Sequence, residues 1–212
     1  MTRTSSVLTA AAIVLASLGP VHAATITFDD LVTGQTTYDF DGDGDGIADV
    51  TFSTTDPDGF NTVGPGLDQR YIQEPGLEGT SLLPVDLRVD FLTGARQSVR
   101  FGFALLATAP DPSYVATLTL YNSAGNSVGS ASVPGQIFAL PGGGSSTFVE
   151  GLVRISFAET AAYGLFDFGS EGGRYIIDNF AGNFGSVVPE PASVALMALG
   201  VATLVLRRRR QS

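Results

Sequence analysis

Asp86-Leu87-Arg88-Val89-Asp90-Phe91 and Ser98-Val99-Arg100-Phe101-Gly102-Phe103 decide the fold of this chain. In both stretches apolar and polar residues alternate, the two-residue period of a strand with one face on a core. A helix would repeat its apolar positions every three to four residues, and nothing from Ala24 onward sustains that period. Working outward, Thr25 to Phe28 and Asp49 to Ser53 read as earlier strands. Val115 to Tyr121 and Ser127 to Val133 flank Asn122-Ser123-Ala124-Gly125-Asn126, a hairpin with turn chemistry at its tip. Leu152 to Phe157, Tyr163 to Phe168 and Arg174 to Phe180 complete the set. Eight to ten short strands punctuated by Gly, Pro, Asp and Asn predict an all-β antiparallel sandwich over residues 24–184. Gln136 to Ser146, with Gly142-Gly143-Gly144, lacks the Lys and following helix of a phosphate cradle and reads as a loop.

The two ends are not part of that domain. Arg3 precedes the apolar stretch Val7 to Leu18, and Val21-His22-Ala23 sets small residues where signal peptidase reads them. Residues 1–23 are therefore expected to be a signal peptide, cut after Ala23. At the other end, a linker from residue 185 leads into Pro189-Glu190-Pro191. The uncharged segment Ala192 to Leu206 follows, then Arg207, Arg208, Arg209 and Arg210. Four adjacent guanidinium groups stay on the cytoplasmic side of a bilayer. The 15 apolar residues reach about 22 Å at 1.5 Å per residue, a short transmembrane helix suited to transient anchoring.

Composition narrows the chemistry. All 11 basic residues are Arg and there is no Cys. Setting aside Arg3, Arg207 to Arg210 and Glu190 leaves six Arg against twenty carboxylates, a formal charge of −14 on the mature domain. That charge argues against nucleic acid as a partner and favours divalent cations. His22, the sole His, lies in the leader, so the mature domain has no imidazole, thiol or Lys amine. Triads with His, Schiff-base lysines and His/Cys zinc sites are excluded.

One constellation stands out. Asp41-Gly42-Asp43-Gly44-Asp45-Gly46-Ile47-Ala48-Asp49, within the acidic loop 39–49, has carboxylates at the first, third, fifth and ninth positions of a calcium loop. Gly46 stands at the sixth, and the Ile47 carbonyl would add a ligand. Position twelve is Phe52, so the bidentate Glu of an EF-hand is missing, and Asp49 leads into a strand. The arrangement is closer to the Asp-rich loops of thrombospondin type 3 repeats. Calcium is the expected, structural cofactor.

Pro189-Glu190-Pro191, the apolar run and the Arg cluster resemble the PEP-CTERM sorting signal. The resemblance implies an exported protein of an exopolysaccharide-producing Gram-negative bacterium, processed by an exosortase and delivered to the cell surface or beyond. Ala116 to Tyr121, Thr147 to Gly151, Val153 to Phe157 and Tyr175 to Phe180 are similar to the β-sandwich ectodomains of such proteins, related in look to galactose-binding-like jelly rolls. In that class the first strand's acids and the last strand's Asp often share a structural calcium, which implies a second, weaker set: Asp29 or Asp30 with Asp178.

These readings favour a non-catalytic matrix or surface protein, calcium-stabilised and associated with exopolysaccharide. A calcium-dependent lectin-like module is the alternative, although Trp is absent and Tyr38, Tyr71, Tyr114, Tyr121, Tyr163 and Tyr175 look scattered. A carboxylate-pair glycosidase would have to draw on Glu74, Glu78, Glu150, Glu159 or Glu171, none of which the sequence marks as paired. Amino-terminal sequencing of the exported protein is expected to begin at Ala24.

Overall fold

The computed structural model describes residues 23–62, 69–80, 87–107, 113–138, 147–170 and 173–184. Residues 1–22 of the expected signal peptide 1–23, the sorting residues Pro189, Glu190, Pro191 and Arg207 to Arg210, and Asp86 and Glu171 lie outside these. The described residues carry ten strands. They are β1 (Ala24–Ile26), β2 (Thr37–Phe40), β3 (Val50–Thr54), β4 (Leu77–Thr80), β5 (Leu87–Leu106), β6 (Val115–Tyr121), β7 (Ser127–Pro134), β8 (Phe148–Ser156), β9 (Ala161–Phe168) and β10 (Arg174–Asn183). Every pairing between them is antiparallel.

Two sheets form, and β5 belongs to both. In sheet A, β10 pairs with β1 and β4 on one side and with the second half of β5 on the other, and β8 closes the far edge. In sheet B the order is β2, β3, the first half of β5, β9, β6 and β7. The two alternating stretches read from sequence are thus one 20-residue strand that leaves one sheet and enters the other. The passage is made by an irregular stretch in which Gly94 and Gln97 take φ of 80° and 67° and the register against β9 shifts. Gly supplies positive φ without a Cβ clash, and such bulges bend strands at sheet corners.

The inward parity survives the corner. Leu87, Val89 and Phe91 face the core from sheet B, and Val99, Phe101, Phe103 and Leu105 face it from sheet A. Phe180 on β10 is fully buried where the sheets meet. Its ring stands edge-on to Phe52 at 5.0 Å and lies near Phe91, Phe101 and Phe184 at 6.2, 6.1 and 5.9 Å. Such offset and edge contacts add to the apolar burial of each ring. Phe28 takes a φ of 58°, unusual for a bulky residue, and its ring contacts Tyr38 and Phe52.

Strands β2 and β4 were not legible beforehand. Thr37-Tyr38-Asp39-Phe40 runs straight into the acidic loop, and Leu77-Glu78-Gly79-Thr80 carries a Gly that reads as a turn. Tertiary packing explains the second case: a Cβ at Gly79 would overlap the hydroxyl of Tyr175 on the paired strand. Phe180→Ala is expected to destabilise the protein by about 3–5 kcal/mol, measured as a lowered urea midpoint with the slope unchanged.

Candidate functional site

Two places bring chemistry together. The first is the acidic loop, which closes the β2–β3 hairpin of sheet B. Gly44 and Gly46 adopt φ of 74° and 85°, conformations that cost a Gly little, and the loop coils around Asp41. Asp41 accepts the backbone N–H of Gly44 through Oδ1 and that of Gly46 through Oδ2, both at 2.7 Å. Those bonds, the Gly46 one foremost, hold its carboxyl below the usual carboxylate range. Asp43 is pushed the other way, by loss of surrounding water and by the charges of Asp45 and Asp49. Asp49 is buried and accepts the Gly42 N–H at 3.0 Å, and its carbonyl accepts the Leu92 N–H from β5.

The structure gathers Asp41, Asp43 and Asp49, with one oxygen from each within 4.8 Å of the others. That spacing fits a common calcium ion at about 2.4 Å from each oxygen. Asp45 stands apart from this trio: its Oδ1 accepts the Ile47 N–H at 2.7 Å, and the Ile47 side chain is 69% exposed. The weaker set is dispersed. Asp30 accepts the Tyr38 hydroxyl at 2.6 Å, Asp29 accepts that of Thr27 at 2.7 Å, and Asp29 reaches Asp178 only as a nearby charge.

The second place was not foreseen. The segment 69–76 runs as a strap across the outer face of sheet A. Ile72 is buried there with Ala104, Phe148 and Ile176, a small apolar cluster separate from the main core. Two buried carboxylates hold the strap down: Glu150 accepts the Tyr71 N–H at 3.0 Å and Asp178 accepts the Gln73 N–H at 2.8 Å. Gly102 lies beneath, and a Cβ there would overlap the Tyr71 carbonyl oxygen. Glu78, also buried, is ion-paired with Arg174.

Between the strap and the exposed part of sheet A lies an open cavity of about 270 Å³. Arg70, Tyr71 and Gln73 of the strap line it, with Arg100 and Leu152 on the sheet and Asn179 at a bulge of β10. Asn179 has a φ of 52°, and its side-chain amide donates to Asp178 at 2.8 Å. None of these residues belongs to a recognisable motif. The available signal was that Arg100 and Arg154 hold outward positions of alternating strands in a domain with six Arg.

Beyond the described residues, residues 187–210 match the PEP-CTERM protein-sorting motif. This chain carries an exosortase sorting signal. The motif implies an exported, secreted protein with a membrane-anchoring tail that an exosortase processes. Among the described residues no helix is long and apolar enough to cross a membrane. No curated protein matches the chain. Among solved structures, the K2 cleaved adhesin domain of Lys-gingipain is 18% identical, with 79% of this chain and 99% of that one covered and a TM-score of 0.44. The carbohydrate-binding module CBM27-1 of Caldicellulosiruptor saccharolyticus, solved with mannohexaose, is 13% identical, covered over 76% and 97%, with a TM-score of 0.39. The arabinose-bound α-L-arabinofuranosidase MgGH51 is 10% identical over 74% of this chain and 25% of its own, at 0.40.

Burial raises the Asp178 carboxyl to about 6, with the Asp29 charge adding and the Gln73 and Asn179 N–H bonds opposing. A raised carboxyl makes the folded state bind its proton more tightly than the unfolded chain does. This group's contribution is therefore greatest below pH 4 and is lost as pH rises through about 6, on the order of 3 kcal/mol in all. Asp178→Asn is expected to remove that slope, so that the stability difference from wild type shifts in the variant's favour between pH 4 and pH 7.5 in urea titrations.

Proposed function

We propose that this is a non-catalytic surface or matrix protein, braced by calcium and held in an exopolysaccharide-rich envelope. The observation that carries the calcium reading is the convergence of Asp41, Asp43 and Asp49 at the end of the β2–β3 hairpin. Three carboxylates at that separation repel one another, and a divalent cation bound among them offsets the repulsion. Bound there, calcium ties the loop to β5 through Asp49, whose backbone already pairs with Leu92. Asp45 and the Ile47 carbonyl complete the coordination only if the loop tightens around the ion. The PEP-CTERM tail anchors the precursor in the inner membrane until an exosortase acts on it.

The placement of the acids supports a scaffold rather than a hydrolase. Glu78 and Glu150 share an outward row of sheet A, but β10 and β5 stand between their strands. Three strand spacings put their backbones about 14 Å apart. Each is also engaged: Glu78 with Arg174, and Glu150 with the Tyr71 N–H.

Calcium at about 10 mM is expected to stabilise the wild-type protein by roughly 1.5–3 kcal/mol if the site has the affinity of extracellular modules. Thermal unfolding with calcium and with chelator measures this. Asp43→Asn should abolish most of the difference, and identical midpoints in both conditions for the wild type would remove calcium from the proposal.

A further inference from the structure

Four of the domain's six Arg lie on or beside the outer face of sheet A. Arg174 is neutralised by Glu78. Arg70 sits on the strap with its guanidinium over the rings of Tyr71 and Phe138, 5.5 and 4.9 Å from their centroids. It also favours the charged form of Glu150. Arg100 on β5 and Arg154 on β8 are directly opposed cross-strand partners, and both are exposed. Among the described residues neither forms an ion pair. The flanking outward positions, Ser98 with Ser156 and Gly102 with Leu152, offer no carboxylate.

Like charges directly opposite on a sheet destabilise it. In a domain with twenty carboxylates, a neighbouring acid was the cheapest remedy, yet the fold puts its nearby acids, Glu150 and Asp178, beneath the strap and bonded to backbone N–H groups. Arg100 lines a preformed cavity and Arg154 is its cross-strand partner on β8; of the cavity's other polar groups, Arg70 is held over the rings of Tyr71 and Phe138, and Thr25, Gln73 and Asn179 are neutral. Tyr71 also lines it.

We infer that this cavity binds a carboxylate-bearing sugar residue of an acidic polysaccharide, with Arg100 and Arg154 on the carboxylate and Thr25, Gln73 and Asn179 on hydroxyl groups. The inference rests on the proposed placement of the protein in a glycan-rich envelope and gives that placement a ligand. The neutral groups match a polyol better than a bare anion. The −14 charge of the domain repels a dense polyanion such as nucleic acid, whereas widely spaced carboxylates meet the local Arg pair with less opposition. A volume of about 270 Å³ holds one sugar ring, and the open mouth lets the chain continue on either side.

The test is calorimetric titration of the full-length protein in detergent micelles, at low salt with EDTA present. The probes are tetragalacturonate, its methyl ester and inorganic sulfate. Expected are binding of the acid that weakens as salt rises, at least tenfold weaker binding of the ester and of sulfate, and at least a tenfold loss in an Arg100→Gln/Arg154→Gln variant whose unfolding midpoint is unchanged or raised. Should the double variant fold poorly, Arg100→Gln alone is read in the same way. Equal affinity for acid and ester, sulfate binding as tight as the tetramer, an unaffected Arg variant or no binding at all would each overturn the inference. So would binding that appears only with calcium, because the acid would then be bridged by metal to the protein's own carboxylates. The calcium-dependent midpoint of the wild-type protein is read separately, so failure at the Arg pair leaves that result standing.

Discussion

The double membership of β5 is the constraint on which this sandwich depends. A strand that serves two sheets must keep its inward side chains facing the core as it turns the corner. Here Leu87, Val89 and Phe91 on one side and Val99, Phe101 and Phe103 on the other do so across the irregular stretch at Gly94 and Gln97. Because both sheets are hydrogen-bonded to the same strand, their relative placement follows from the corner rather than from side-chain packing alone. The Phe180 cluster then fills the space between them, and no disulfide is needed in a chain without Cys.

The same strand sets the outer surface of sheet A. Its outward positions pass from Arg100 to Gly102 to Ala104, large and charged to small and apolar within five residues. The small residues admit the strap, which buries Ile72 against Ala104, Phe148 and Ile176 and takes that part of the outer face out of water. The large one stays outside it. Buried carboxylates are costly unless their oxygens are satisfied, and Glu150 and Asp178 meet that demand with backbone N–H groups of the strap. A surface loop is thereby fixed with the precision of a strand, and the cavity at its edge is preformed.

Charge is segregated in this molecule rather than mixed. The acidic hairpin loop belongs to sheet B, and the opposed Arg pair to the outer face of sheet A. Exposed pairs of opposite sign contribute little to stability. Among the described residues such pairs are few, Arg88–Asp90 being exposed and Arg174 pairing with the buried Glu78, so their scarcity costs the fold little.

What the residues alone determined was whatever depends on neighbours in the chain. Two-residue alternation gave the β class, the Asp-Gly repeat gave the acidic loop, and the sequential order of Pro-Glu-Pro, apolar run and Arg cluster gave the sorting signal, which is read as a linear segment. The union of two predicted strands into β5, the strands β2 and β4, and the strap with its cavity were decided by tertiary structure. The reason is physical. Arg100 and Arg154 are 54 positions apart, and Gln73 and Asp178 are 105 apart. Only strand register and the closure of long loops bring such residues within reach, and neither is written in the spacing of residues along the chain.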